Sequence, residues 1–153
     1  MPRNSLVAHR LKIERWKFDY SFGVADPKFD TGAYSDGRTI ILEVAIERPT
    51  IRPKRGRVLM FAINELIGAQ QMPVRKFGDR LAGKPDTVKP VGRLWYRGDE
   101  YTASLFFPAD MLGPLLTMLS ADRYRYLNID AEEGGREAGI SSFYFSGNDD
   151  GPG

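Results

Sequence analysis

The chain contains no cysteine and only one histidine, His9. The absence of thiols excludes disulfide frameworks, cysteine nucleophiles and zinc sites built on thiolates. A single histidine also excludes a three-histidine metal site. His9 is the only side chain whose unperturbed pKa lies near neutrality. Its alternation with Val7, Leu11 and Ile13 places it on an apolar strand face, which predicts a packed or hydrogen-bonded histidine without a catalytic role.

Long hydrophobic runs are also missing. The longest run covers residues 58–63, whereas a membrane-spanning helix needs about 18 apolar residues. Charged residues interrupt the first 22 positions, so they do not resemble a signal peptide. We therefore expect a cytoplasmic protein without membrane contact, cofactor or bound metal. The 153 residues, 42% hydrophobic and 27% charged, predict one globular domain over residues 1–146 and a flexible polar tail over 147–153.

Short apolar runs separated by 16 glycines and 10 prolines are typical of strands joined by turns. We predict seven strands at 6–22, 39–47, 57–64, 91–97, 100–107, 123–131 and 140–146. Gly98 fits the first position of a type II′ hairpin turn. Asp110 fits the cap of a single helix with an apolar stripe that includes Leu115 and Leu119. The pattern predicts a mainly β protein: an antiparallel β-sandwich or partly closed barrel of about seven strands with one short helix near 110–120.

The first predicted strand changes phase along its length. His9 and Leu11 occupy odd positions, whereas Trp16, Phe18 and the aromatic residues after them occupy even positions. Since side chains alternate between the two faces of a strand, an extra residue near Glu14 would return both apolar sets to the same face. We therefore predict a β-bulge at this point.

Two short motifs resemble enzyme signatures. Residues 78–85, GDRLAGKP, resemble the phosphate-binding P-loop, but Pro85 stands where the magnesium-binding hydroxyl is required and no helix is predicted to follow. Residues 30–32, Asp-Thr-Gly, resemble the active-site loop of the aspartic proteases, in which two aspartates share a proton. Only one copy is present, and such a sequence is also common in turns. Neither motif predicts an enzyme, although a carboxylate-based hydrolase using Asp30 or other acidic residues is an alternative.

Three further patterns have simpler structural explanations. Residues 97–99, Arg-Gly-Asp, resemble the integrin-binding tripeptide but fit a hairpin tip. Asp26, Asp30 and Asp36 lack the spacing of a calcium-binding EF-hand and fit Asx-turns. The aromatic residues Trp16, Tyr20, Trp95 and Tyr96 suit either a core or a sugar-binding face.

Charge is distributed unevenly along the chain. Residues 1–47 are neutral, residues 48–97 have a net charge of +9, and residues 98–153 have a net charge of −7. Five cations and no acid fall within ten residues that also contain Pro49 and Pro53. They are Arg48, Arg52, Lys54, Arg55 and Arg57, here called the basic loop. Because such charge cannot be buried, we expect the basic loop to project and to contact a partner.

These observations favour a non-catalytic binding or assembly module whose basic loop contacts an anionic or protein partner. The partner could be nucleic acid, since arginines and lysines neutralise phosphates. It could also be a second copy of the chain, in a head-to-tail contact that forms rings or filaments. The surface of that copy would be a group of carboxylates, here called the acidic set: Asp130, Glu132, Glu133 and Glu137.

Overall fold

A computed structural model describes residues 5–24, 34–63, 90–133 and 137–147. Most of them lie in strands: β1 (Leu6–Val24), β2 (Tyr34–Arg48), β3 (Arg55–Ile63), β4 (Gly92–Arg97), β5 (Glu100–Pro108), β6 (Tyr126–Glu132) and β7 (Glu137–Ser146). A 3-10 turn, Ala109–Met111, leads from β5 into the helix α1 (Leu112–Ser120). The predicted mainly β fold with one short helix is confirmed.

The strands form a closed barrel in the order β1-β2-β3-β5-β4-β7-β6. Closure removes the open edges that a flat sheet would expose, over the part of β1 that pairs with β6. The expected antiparallel pairing holds for the neighbouring strands with one exception, since β3 and β5 are parallel. The exception arises because the β4–β5 hairpin packs against β3 with its second strand, while β4 pairs with β7.

The barrel interior is filled by alternate side chains of every strand. Residues such as Leu42, Met60, Leu105 and Ile129 are almost completely inaccessible to solvent. The helix contributes Leu115 and Leu119 to the same core. It follows directly from β5, so it lies at the end of the barrel where β3 and β5 terminate. The apolar stripe predicted from helical spacing therefore serves packing.

The predicted bulge in β1 is confirmed. The register with β2 shifts between Ile13 and Arg15, which leaves Glu14 as the extra residue. Leu11 and Trp16 consequently both face the core, although one position is odd and the other even. A bulge increases local twist, which suits a strand that contributes to a closed barrel.

Several local boundaries differ from the prediction. β2 begins at Tyr34, five residues before the predicted start, because a polar stretch continues to pair with β1. Asp110 lies in the 3-10 turn, and the helix begins after Met111 without a side-chain cap. Gly98 has a φ of +62° and joins β4 to β5 as expected for the first residue of a type II′ turn.

Candidate interaction surface at one end of the barrel

Three connections gather at one end of the barrel, here called the charged rim. They join β2 to β3, β4 to β5 and β6 to β7. The strand register brings them together, since β1 pairs Leu6 with Glu132 and Arg10 with Arg48 at this end. The β4–β5 turn lies at the same end, because Arg97 pairs with Glu100 there. The charged rim therefore lies opposite the helix.

The basic loop lies at the charged rim with its apolar residues turned inward. Pro53 is buried, and Ile51 packs against the core. All five cations are exposed, three of them inside strands: Arg48 ends β2, whereas Arg55 and Arg57 belong to β3. The loop is thus a part of the barrel wall that presents cations to solvent.

Two cations of the basic loop already have acidic partners. Arg52 Nε lies 3.2 Å from Asp99 Oδ1, and Arg55 Nε lies 3.2 Å from Glu14 Oε1. Lys54 Nζ donates a hydrogen bond of 3.2 Å to the Ile51 carbonyl. Arg48 and Arg57 form no ion pair with any residue that the structure describes. These two arginines and Lys54 therefore retain the greatest capacity for an outside carboxylate or phosphate.

An open groove of about 670 Å³ runs beside the basic loop along the outer surface of the barrel. Its walls carry charges of both signs, including Arg57, Asp99 and Glu100, and Tyr101 also lines it. A further ion pair joins Arg15 Nε to Glu43 Oε2 at 2.6 Å. The walls of this groove alternate cations and carboxylates, whereas a surface that binds a phosphate backbone presents a continuous row of cations.

The acidic set occupies another part of the charged rim, at the end of β6 and the start of β7. Asp130 accepts a hydrogen bond of 3.1 Å from Ser142 Oγ, and Glu137 forms an ion pair with Arg93. Glu132 and Glu133 are exposed and have no ion-pair partner within residues 5–24, 34–63, 90–133 and 137–147. These two glutamates are thus the most available carboxylates of the set.

The basic loop and the acidic set lie on opposite flanks of the barrel. The basic loop joins β2 to β3, whereas the acidic set joins β6 to β7. Around the closed sheet, three strands separate the two junctions on one side and four on the other. Residues far apart in sequence thereby give one end of the barrel a flank that carries the basic loop and a flank that carries the acidic set.

His9 is buried beneath the charged rim, as the apolar alternation predicted. Its ring is 4% exposed, and its Nδ1 lies 3.0 Å from the Tyr101 hydroxyl. Burial lowers the pKa of His9 to about 4, although the negative charge of Asp130 partly opposes this effect. Burial raises the pKa of Tyr101 well above its usual value. The pair is therefore neutral at physiological pH, and it links opposite walls of the barrel.

The four aromatic residues considered for a sugar-binding face do not share one surface. Trp16 and Tyr96 pack against the core. Trp95 is 41% exposed on the outer surface of β4, and Tyr20 is exposed on β1 beyond the barrel wall. The alternation within each strand separates Trp95 from Tyr96, so these residues do not form a single binding platform.

Several sequence motifs fall outside the described residues. These are the P-loop-like residues 78–85, the Asp-Thr-Gly residues 30–32, and Asp26. Asp36 is described and pairs with Arg38 at 2.7 Å. The Arg-Gly-Asp sequence forms a hairpin tip, as predicted, and its Asp99 binds Arg52. Sequence reasoning missed this ion pair because its partners are 47 positions apart.

Comparison with known protein families, with curated proteins and with solved structures finds no match to this chain. Within the described ranges, no three acidic or histidine side chains are grouped as a metal ion would require. The same part of the chain holds no helix that is long and apolar enough to cross a membrane.

Proposed function

We propose that this protein is a non-catalytic assembly module, in which the basic loop of one copy contacts the acidic set of the next. The observation that supports this proposal is the separation of the two charged groups onto opposite flanks of the charged rim. With this separation, each copy can bind one neighbour through its basic loop and another through its acidic set. Such a head-to-tail contact closes into a ring or continues as a filament.

Carboxylates suit the basic loop better than a nucleic-acid backbone does. Arg52 and Arg55 are already paired with Asp99 and Glu14, so the local surface mixes both signs. A phosphate chain would meet these acids as repulsive charges. A partner with a few separated carboxylates can instead contact Arg48, Lys54 and Arg57, and guanidinium groups bind carboxylates in a defined planar geometry.

The exposed position of these charges predicts a contact that depends strongly on salt. At about 0.1 M ionic strength the screening length is about 10 Å, and at about 1 M it falls to about 3 Å. Complementary charges at the rim of an interface mainly affect encounter and register. We therefore expect larger assemblies at low salt and their dissociation as the salt concentration rises.

Light scattering coupled to size exclusion tests the proposal, using protein freed of nucleic acid. The mass of one copy is 17.2 kDa. We expect the paired substitution R48E/R57E to abolish the salt-sensitive assembly, and E132R/E133R to have the same effect. When the two variants are mixed, the reversed loop of one meets the reversed acidic set of the other, so assembly should return.

Arg123→Glu is the matched control, because Arg123 is an exposed arginine that does not belong to the basic loop. It should leave the assembly unchanged. The proposal would be wrong if the wild-type protein shows no assembly that salt dissolves. It would also be wrong if the two reversed variants assemble separately as well as wild type does. Binding of an oligonucleotide that requires Arg48 and Arg57 would instead support the nucleic-acid alternative.

A further inference from the structure

A two-stranded arm extends from the barrel at the end opposite the charged rim. It consists of the last residues of β1, from Asp19 to Val24, and the first residues of β2, from Tyr34 to Arg38. These residues pair with each other, but the pairing of β2 with β3 begins only at Thr39. The pairing of β1 with β6 covers Leu6 to Lys12. The arm is therefore a sheet of two strands in the part of the chain that the structure describes.

One face of the arm carries exposed apolar side chains. Tyr20, Phe22, Val24 and Tyr34 are between 58% and 81% exposed. They share a face because Val24 pairs directly with Tyr34, and the rings of Phe22 and Tyr34 stack at 5.4 Å. Along β1, this face is the continuation of the core-facing side, which carries Trp16 inside the barrel. Apolar side chains grouped on a surface in this way are typical of an interaction site.

The outer edge of β1 also offers backbone hydrogen bonds. The Ile13 N–H donates to the Arg125 carbonyl at 2.8 Å, so odd residues before the bulge direct their backbone groups away from β2. Glu14 is the extra residue of the bulge, so beyond it the even-numbered residues of β1 direct their backbone groups away from β2. Trp16, Phe18 and Tyr20 thus direct their N–H and C=O groups outward. No described strand pairs with this edge after Ile13, and such an edge can accept another strand.

The charges along this edge are self-complementary. Lys17 and Asp19 lie on the outer face, are 65% and 59% exposed, and are 3.8 Å apart. If two copies pair antiparallel around Phe18, each Lys17 lies directly opposite Asp19 of the second copy. These are pairs without mutual hydrogen bonds, in which side chains approach most closely. On the other face, Tyr20 of each copy lies opposite Trp16 of the second.

We propose that two copies of this chain pair through the outer edge of β1, with the two-fold axis at Phe18. The pairing joins two sheets into one, places Tyr20 of each copy beside Trp16 of the second and satisfies the outward backbone groups. Each side of such an isologous contact supplies the same residues. The contact lies opposite the charged rim and depends on apolar and backbone contacts, so it is independent of the proposed assembly.

Charge exchange at positions 17 and 19 tests the register. K17E places a glutamate opposite Asp19 of the second copy twice in each dimer, and D19K places a lysine opposite Lys17 twice. Each single variant should weaken the dimer about tenfold, since opposed like charges on a sheet are destabilising. The double variant K17E/D19K restores opposite charges and should recover wild-type affinity. The double variant also restores the contact between these positions within one chain. A mixture of K17E with D19K therefore separates dimerisation from folding. Each chain then keeps like charges at positions 17 and 19, but opposite charges face each other across the heterodimer, so the affinity should return.

The affinity is measured by analytical ultracentrifugation at about 1 M NaCl, where exposed charge contacts are strongly screened. For the charge variants it is measured again at about 0.1 M, with R48E/R57E present in every protein compared so that the rim assembly does not form. We expect wild type at twice 17.2 kDa at high salt. Phe22→Ser should lower the affinity, whereas Tyr144→Ser, at a comparably exposed aromatic residue of β7, should not. The rim variant R48E/R57E should dimerise normally, so failure of either proposal is recognised separately.

Amide exchange measured by NMR provides a second readout. Dimerisation should protect the outward amides of residues 16, 18 and 20, while those of residues 17 and 19 are already bonded to β2. A wild-type protein that is monomeric at millimolar concentration would overturn the proposal. A dimer that K17E, D19K and Phe22→Ser leave equally strong would overturn it as well, because the contact would then lie elsewhere.

Discussion

Burial of His9 makes the stability of the folded protein depend on pH. The pKa of this imidazole falls from 6.5 to about 4 on folding, principally because burial removes the charged form from water. Below pH 6.5 the unfolded chain binds a proton, whereas the folded protein does not until the pH approaches 4. The stabilisation of the folded state that comes from neutral His9 is thus complete above pH 6.5 and is lost as the pH falls toward 4.

The magnitude follows from the difference in pKa. One unit corresponds to 1.36 kcal/mol, so a shift of this size is worth about 3 kcal/mol in full. Between pH 7 and about 4.5 most of this difference is lost, which we expect to lower the free energy of unfolding by about 2 kcal/mol. The Tyr101 hydroxyl and the Asp130 carboxylate are the neighbouring groups that contribute to this environment.

Urea unfolding of wild type and His9→Gln between pH 7 and about 4.5, followed by tryptophan fluorescence, measures this contribution. Glutamine can still bond to the Tyr101 hydroxyl but does not titrate. The carboxylates titrate in both proteins, so their effect cancels in the difference. Wild type should lose about 2 kcal/mol more than the variant. A difference in stability that stays constant with pH would refute the assignment of His9 as a buried neutral histidine.

Three further substitutions test the packing. Gly56→Ala should be strongly destabilising, because a Cβ there would lie 2.7 Å from the Tyr101 carbonyl oxygen and 2.6 Å from its ring. Gly113→Ala, with nothing within 4 Å of a new Cβ, should stabilise the helix by up to about 1 kcal/mol in thermal unfolding, and equal effects at both sites would contradict the geometry. Leu115→Ala should cost about 2–4 kcal/mol in chemical denaturation, since it removes a buried side chain that connects α1 to the barrel core. A cost below about 1 kcal/mol would indicate that the helix does not close this end.

Much of the local structure could be predicted because its causes are local. In β1 the apolar residues move from odd to even positions. Because side chains of a strand alternate between two faces, this change predicts the bulge at Glu14. Gly98 marks a turn because only glycine adopts its positive φ without strain. The parallel pairing of β3 with β5 has no such signal, since it depends on which strand of a hairpin reaches β3.

For the candidate surfaces too, some features follow from the sequence and others only from the fold. The sequence by itself determined that Arg48, Lys54 and Arg57 are exposed, because a concentration of like charges cannot be desolvated. Only the tertiary structure decided which cations are neutralised within the chain, since the pairing of β3 with β5 brings Arg52 to Asp99. It also decided that Tyr20 and Phe22 lie outside the core, although their alternation matches that of Trp16. Alternation selects a face of the strand, but burial requires a facing element, and β1 extends beyond the barrel wall.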